Sequence, residues 1–466
     1  MEKAPDKTPA EDGLVDSGFY QKHKTIYARQ TKGFFTTLRK VTVWLLLGLF
    51  YILPWIKWGG QQLVLFDLPA RKFYLFGMVF WPQDFFYLAL LLIISALTLF
   101  FVTALAGRIW CGYACPQTVW SEVFVWIEQW VEGDRPQQIK LENAAWDRSK
   151  ISKKVIKHAL WLFFSLLTGF SFVGFFVPME TLWTEFSGGT LGGWALFWVL
   201  FYGFATYGNA GFLREQICLY MCPYARFQSA MFDKDTLIIS YDEARGEPRG
   251  VRKRGADKSA GEGDCVDCTL CVQACPTGID IRDGLQYQCI GCAACIDACD
   301  TVMDKIGSPR GLVRYTTEHE LNGGKTHILR VRTLIYAGLL TLITVALLYS
   351  MVNRIPLDMD VIRDRNVLFR DTGDGGIENI YILKVINMDQ QAHKYKITVS
   401  GIEGMTLSGV DNVNVPSGKV AEVTVNVRAN PDKMTSKSEK VMFHIEAEEN
   451  PTLTDSQEGR FLGPGK

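Results

Sequence analysis

Eight of the twelve cysteines in this 466-residue chain fall between Asp264 and Asp300, in two matched runs. The first is Cys265-Val-Asp-Cys268-Thr-Leu-Cys271-Val-Gln-Ala-Cys275-Pro276, and the second is Cys289-Ile-Gly-Cys292-Ala-Ala-Cys295-Ile-Asp-Ala-Cys299-Asp300. The C-x2-C-x2-C-x3-C spacing lets three thiolates wrap three corners of a cubane while the fourth reaches a second cluster. The pattern therefore places one 4Fe–4S cluster on Cys265, Cys268, Cys271 and Cys299. It places another on Cys289, Cys292, Cys295 and Cys275. Structural zinc favours four-ligand sets built from paired C-x2-C units, and disulfides do not suit the reducing compartment argued for below. Asp300 stands where the first run has Pro276, a change of turn and charge that removes no ligand.

Five apolar runs approach the roughly 20 residues needed to cross a bilayer: Val41–Ile56, Phe85–Ala106, Ala159–Val177, Leu191–Phe212 and Thr333–Val352. Pro54 blurs the end of the first. Thirteen tryptophans suit a chain whose rings gather at membrane interfaces. Residues 1–40 read as a polar tail, disordered in its first half and not a secretory signal peptide. Its basic end (Lys22, Lys24, Arg29, Lys32, Arg39, Lys40) argues for a cytoplasmic start. Arg135, Lys140, Arg148, Lys150, Lys153 and Lys154 mark the loop after the second span as cytoplasmic, whereas 178–190 has no Lys or Arg and is external. The loop between the first two spans fits an external side less cleanly, with Lys57, Arg71 and Lys72. The cluster-binding stretch then lies in the cytoplasm, and the fifth span exports the rest. Formal charge is zero, from 49 basic and 49 acidic residues, which gives no reason to expect nucleic acid.

Residues 240–263 form a polar, glycine-rich connector containing Arg245-Gly-Glu-Pro-Arg-Gly250 and a basic run from Arg252 to Arg254. Most such runs are solvated, and a minority meet lipid headgroups or a partner. Beyond the fifth span, Tyr395, Ile397 and Val399 alternate with polar neighbours, as do Val423, Val425 and Val427, with Pro416-Ser417-Gly418 as punctuation. Period-two alternation between turns predicts a small antiparallel sandwich. Its His393 and His444 could ligate a metal, although isolated strand histidines are usually structural.

The remaining cysteines form Cys111-Gly-Tyr-Ala-Cys115-Pro116 and Cys218-Leu-Tyr-Met-Cys222-Pro223, 107 residues apart, each followed by an aromatic residue, Trp120 or Phe227. The repeat predicts a duplicated helical hairpin. Cysteines at i and i+4 share a helix face, and each proline can begin the next helix. Brought together, Cys111, Cys115, Cys218 and Cys222 would offer up to four thiolates at the membrane edge, with Met221 as a further soft ligand. Such a set suits Cu(I), zinc or an iron–sulfur cluster. The plainer alternative is four buried cysteines packing an interface.

In the paired C-x3-C-P motifs, the Arg-Gly-Glu-Pro-Arg-Gly connector, the eight-cysteine insert and the terminal sandwich, nearly the whole chain resembles the cytochrome c oxidase accessory proteins of the FixG/CcoG type. The resemblance implies a multi-domain membrane protein. It has a five-helix transmembrane domain, an inserted cytoplasmic bacterial-type two-cluster ferredoxin domain, and a C-terminal all-β Ig-like sandwich. The expected division is a tail (1–40), a four-span membrane domain with both CxxxCP motifs (41–239), a linker (240–263), the dicluster ferredoxin domain and connector (264–332), the fifth helix (333–352) and a periplasmic Ig-like domain (353–466).

The implied function is assembly of a copper-containing oxidase of the bacterial inner membrane by reduction of Cu(II) to Cu(I). The cofactors would be two 4Fe–4S clusters, with copper as a candidate ligand of the four membrane-edge cysteines. An unidentified cytoplasmic donor would supply electrons, and oxidase subunits or copper chaperones and transporters would be partners. A quinol-linked relay to a periplasmic or membrane redox partner is the competing function, and a purely structural scaffold is a third. No G-x-G-x-x-G context marks a built-in nucleotide domain.

Overall fold

The computed structural model of the chain describes residues 26–251, 261–373, 375–389, 391–410 and 412–464. The first half of the tail and the basic run Arg252 to Arg254 lie outside the described residues. The chain clusters into two compact units. One draws on Met1–Leu38, Val125–Lys157 and Ile239–Tyr315, and the other on Arg39–Phe124, His158–Ile238 and Thr316–Lys466.

The helices that position the sites are α1 (Phe34–Ile52), α2 (Phe85–Ala106), α3 (Ile109–Tyr113), α4 (Pro116–Glu132), α5 (Arg148–Val173), α6 (Gly193–Thr206), α7 (Pro223–Met231), α8 (Leu270–Gln273), α9 (Ala294–Ile306) and α10 (Val331–Val352). Four helical stretches among the described residues are long and apolar enough to cross a membrane: Phe34–Trp55, Pro82–Ala106, Arg148–Val173 and Val331–Val352. Their outward faces carry large apolar side chains such as Trp44, Phe86, Leu92 and Leu342, all exposed. In water such faces would be unfavourable; in hydrocarbon they are ordinary.

Two expected spans begin earlier than hydropathy indicates, at Phe34 and Arg148, because the helix extends back through residues with charged side chains, Arg39 and Lys40 in the first and Arg148 to Lys157 in the second. Pro54 sits in a 3-10 turn, Leu53–Trp55, that closes the first. The expected span over 191–212 differs most. Regular helix stops at Thr206, and Tyr207–Leu213 continues as π-helix. Hydropathy is blind to that change, since it averages side-chain character along the chain and carries no information on the i→i+5 bonding of the backbone.

After α10 the described residues form a sandwich of nine strands: β1 (Leu357–Arg363), β2 (Arg370–Asp371), β3 (Ile377–Asn387), β4 (His393–Ser400), β5 (Thr406–Gly409), β6 (Asn412–Val415), β7 (Val420–Ala429), β8 (Ser438–Ala447) and β9 (Thr454–Leu462). One sheet runs β5-β7-β3-β1 with β2 on β3, and the other runs β6-β4-β8-β9. All pairings are antiparallel, with Tyr381 opposite Val425 and Ile397 opposite Ile445. The alternation read from sequence points inward: Tyr395, Val425 and Val427 are fully buried, with Tyr381, Phe443 and Phe461 completing the core. Pro416-Ser417-Gly418 turns β6 into β7, with Gly418 at φ 62°. The strand histidines are satisfied locally, His393 by Asp389 at 2.8 Å and His444 by Ser400 and Ser456 at 2.9 and 2.7 Å.

Candidate metal centres

In the first unit, two cavities sort the eight cysteines. Cys275, Cys289, Cys292 and Cys295 line one, together with Cys271 and Ile290. Cys265, Cys268, Cys271 and Cys299 line the other, together with Tyr241 and Arg282. Each cavity thus gathers three cysteines of one run and the fourth of the other, the crossed arrangement that the spacing predicts.

The backbone repeats as closely as the sequence. Asp267 and Thr269 have φ 49° and 56°, and their counterparts Gly291 and Ala293 have 69° and 58°. Thr269 and Ala293 each cap a helix, α8 or α9, on which the third cysteine of the run sits. Left-handed geometry at Thr269 and Ala293 costs on the order of 1–3 kcal/mol each. It bends both loops around their cavities.

Burial pushes the Cys271 thiol up to about 11 despite the opposing pull of Arg282, and the Cys299 thiol up to about 12. The Cys295 thiol is driven well above its usual value. Protons are therefore retained unless a cation replaces them. A soft, apolar, multi-thiol cradle fits iron–sulfur ligation. Among the eight, Cys268 is exposed.

Supporting groups fill the space around the cysteines. Asp300 accepts from the Gly311 amide at 2.9 Å, so the residue replacing the usual proline ties down the following loop. Tyr315 donates to the Gly291 carbonyl at 2.6 Å. Asp297, buried between Cys295 and Cys299 in sequence, accepts from the Thr36 amide and hydroxyl, both at 2.6 Å. Sequence reading missed Asp297, because its partner lies 261 residues away.

In the second unit, Cys111, Cys115, Cys218 and Cys222 come together, each close enough for its charge to be felt by others of the set. The two motifs share one backbone design. Gly107 and Arg214, each four residues before a first cysteine, have φ 56° and 37°. The Cys115 amide donates to Trp110 O at 2.9 Å and the Cys222 amide to Ile217 O at 2.8 Å, five residues back in both cases. Pro116 and Pro223 then open α4 and α7, as expected from sequence.

The expectation that each cysteine pair shares one helical face needs correction. A helix ends between the two cysteines, on α3 in the first motif and on the π-helix Ile217–Met221 in the second. The wider i→i−5 turn lets the second cysteine leave the helix just before the proline.

Burial raises the Cys111 thiol to about 11 and the Cys218 thiol to about 12, and nearby Arg108 pulls both down. Cys111 Sγ donates to Gln228 Oε1 at 3.4 Å. Gln228 is fully buried, and its Nε2 lacks a partner. Apart from Asp235, His319 and His327, no three Cys, His, Asp or Glu ligand atoms among the described residues lie within 4.8 Å of one another. A tetrahedral four-thiolate ion needs sulfurs about 3.8 Å apart, whereas the corners of a cubane hold them wider.

Comparison with known proteins matches three regions of the chain. A 4Fe-4S dicluster domain matches residues 213–318, a 4Fe-4S binding domain matches 88–133, and the Ig-like fold at the C-terminus of FixG matches 347–464. Protein RdxB of Cereibacter sphaeroides is 39% identical over 451 residues, covering 93% of this chain and 94% of its own. Protein RdxA of the same organism is 40% identical over 85% of this chain and 87% of its own. The nitrogen fixation protein FixG of Rhizobium meliloti is 37% identical over 90% of this chain and 87% of its own.

Proposed function

The chain belongs to the FixG family and is an iron–sulfur electron-transfer protein, and from that premise we propose that it reduces Cu(II) to Cu(I) in support of a copper-containing cytochrome c oxidase. The proposed location is the bacterial inner membrane, with the eight-cysteine unit cytoplasmic and the sandwich periplasmic. The observation that carries the reading is the pairing of two four-cysteine cavities with a separate, duplicated thiol quartet.

Cys265, Cys268, Cys271 and Cys299 would hold one 4Fe–4S cluster, and Cys289, Cys292, Cys295 and Cys275 the other. Bound clusters supply one-electron transfer, at potentials set by burial and hydrogen bonding. Cys268 offers a cytoplasmic donor the exposed edge, while burial of Cys265, Cys271, Cys292 and Cys295 keeps water away. Cys111, Cys115, Cys218 and Cys222 would take the copper substrate. Binding at these thiols would displace their protons, and Cu(II) would take up the one electron that a reduced 4Fe–4S cluster gives up; thiolates favour the Cu(I) product over Cu(II). Arg108 offsets part of the thiolates' negative charge.

A second reading of the quartet is a third iron–sulfur cluster. The 4Fe-4S binding match over 88–133, which spans Cys111 and Cys115, favours it. Iron analysis separates the two, at about eight or about twelve atoms per chain.

The reaction is tested by mixing dithionite-reduced, desalted protein anaerobically with Cu(II), following cluster reoxidation and Cu(I) chelate together. The partner sample has Cys111, Cys115, Cys218 and Cys222 changed to Ser. Cu(I) formation by the intact protein, lost in a variant that keeps its eight-cysteine clusters, is the expected result. Equal behaviour of the two would mean that Cu(II) merely strips exposed clusters, and a quinol-linked relay would then be the better account.

A further inference from the structure

Asp235, His319 and His327 bring one carboxylate oxygen and two imidazole nitrogens within 4.8 Å of one another. The three come from separate places in the second unit. Asp235 lies in the turn after α7, His319 in the short helix Glu318–Leu321, and His327 in the irregular segment leading to α10. His319 Nδ1 is 2.7 Å and His327 Nδ1 3.5 Å from the same oxygen, Asp235 Oδ1. The rings stand nearly perpendicular, 88° apart, and do not stack.

The framework is held independently of any ion. The His327 amide donates to Asp235 Oδ1 at 2.9 Å, and the His319 amide donates to Lys234 O at 3.1 Å. The Asp235 amide donates to Asp233 Oδ1 at 3.0 Å. Surrounding charges are matched elsewhere: Lys234 faces Glu318, while Arg330 and Arg332 face Asp233. Asp235 is left facing the two imidazoles. Side-chain exposure rises from 12% at Asp235 through 39% at His319 to 69% at His327, which leaves one side of the set open to solvent.

We infer that these residues form a surface site for a divalent transition-metal ion, with Cu2+ bound most tightly. Two imidazoles and a carboxylate are borderline ligands suited to Cu2+ or Zn2+, and the Irving–Williams order puts copper ahead. In a tetragonal Cu2+ site with bonds of about 2.0 Å, neighbouring ligand atoms stand about 2.8 Å apart. The shorter contact, 2.7 Å, already has that spacing, and the longer, 3.5 Å, must close by about 0.7 Å. The ion takes the place of the His319 Nδ1–Asp235 Oδ1 hydrogen bond, and solvent completes its coordination. No thiol takes part, so the oxidised ion is held without being reduced. The inference does not depend on the copper-reduction reading, and it survives if that reading fails.

The test uses the full-length, cluster-loaded protein in detergent, with clusters oxidised and free of an EPR signal of their own. Cu2+ alone is titrated by EPR into wild type, His319→Ala, His327→Ala and Asp235→Asn. The expected result is one equivalent of a type-2 signal with coupling to two nitrogens. Each variant should weaken that binding by more than about tenfold, the order lost when even supporting groups of metal sites are removed. His327 is mostly exposed, so its variant reads the site without a folding penalty. An unchanged titration in His327→Ala, or a wild-type signal without two-nitrogen coupling, overturns the inference.

Discussion

Gly107 and Arg214 hold equivalent places in the two thiol motifs, and both lie in left-handed backbone. At Gly107 the demand is also steric, since an added Cβ would stand 2.8 Å from the Leu237 carbonyl oxygen. Gly107→Ala is therefore expected to destabilise the protein by about 1–3 kcal/mol and to loosen Cys111 and Cys115. The check is a lower unfolding midpoint together with faster alkylation of those two thiols; unchanged thiol reactivity would show that the turn does not set the site. A second residue-scale prediction concerns Asp242. Burial raises its carboxyl, but Arg314 at 2.7 Å and the Arg245 amide outweigh that, so its folded value lies below the ordinary one. Its contribution is complete above the ordinary carboxylate range, near pH 3.9, and drains away as pH falls through the lowered folded value. Asp242→Asn should be less stable than wild type at neutral pH, and the two acid-unfolding curves should converge at the lowest pH.

At the scale of elements, α4 and α5 show what spacing can and cannot reveal. Glu132 of α4 is almost fully buried and meets Lys157 at 3.0 Å and Lys154 at 3.2 Å, while Glu128 meets Lys157 at 3.5 Å. Removing one member of a buried ion set strands the others, so Glu132→Ala should cost about 3–5 kcal/mol. Glu132→Gln paired with Lys157→Met should recover part of that loss, because the charge and its partner leave together. Thermal unfolding in detergent reads both. The sequence reads Lys154 only as one of the basic residues that mark a cytoplasmic loop, and nothing local connects Lys157 to a glutamate 25 positions earlier. The eight-cysteine runs were legible for the opposite reason: cluster ligation imposes its geometry on neighbours two and three residues apart. The C-x3-C-P motifs fall between these cases. Pro116 and Pro223 announced the helices they open, but an i→i−5 turn leaves no hydrophobic period, so the helix ends before Cys115 and Cys222 were invisible. Asp235, His319 and His327 are farther apart still in sequence, and only the fold assembles them.

At the scale of the molecule, the terminal sandwich is attached to the membrane unit by more than its chain connection. Arg354, just past α10, bridges to Asp84 at 2.5 Å, to the Val79 carbonyl at 3.2 Å and to Met388 Sδ at 3.2 Å. Trp81 packs on Ile386 and Met388, and Lys72 donates to Gly418 O at 2.6 Å. These contacts join the sheet of strands Val64–Asp67, Lys72–Leu75 and Met78–Phe80 to the sandwich. The sandwich core is a different matter, since Tyr381, Tyr395, Phe443 and Phe461 are all fully buried among residues of the sandwich itself. The attachment and the core should therefore respond separately. Arg354→Ala leaves the Asp84 carboxylate buried with its main cation gone, at a cost of about 3–5 kcal/mol to the junction. It removes nothing from the sandwich interior. The expected outcome is faster proteolytic cleavage near residue 354, with the sandwich unfolding at its original midpoint and a separately produced 353–464 fragment melting alongside it. If the sandwich midpoint falls with the substitution, the two parts fold as one cooperative body, and the junction is part of what stabilises the strands.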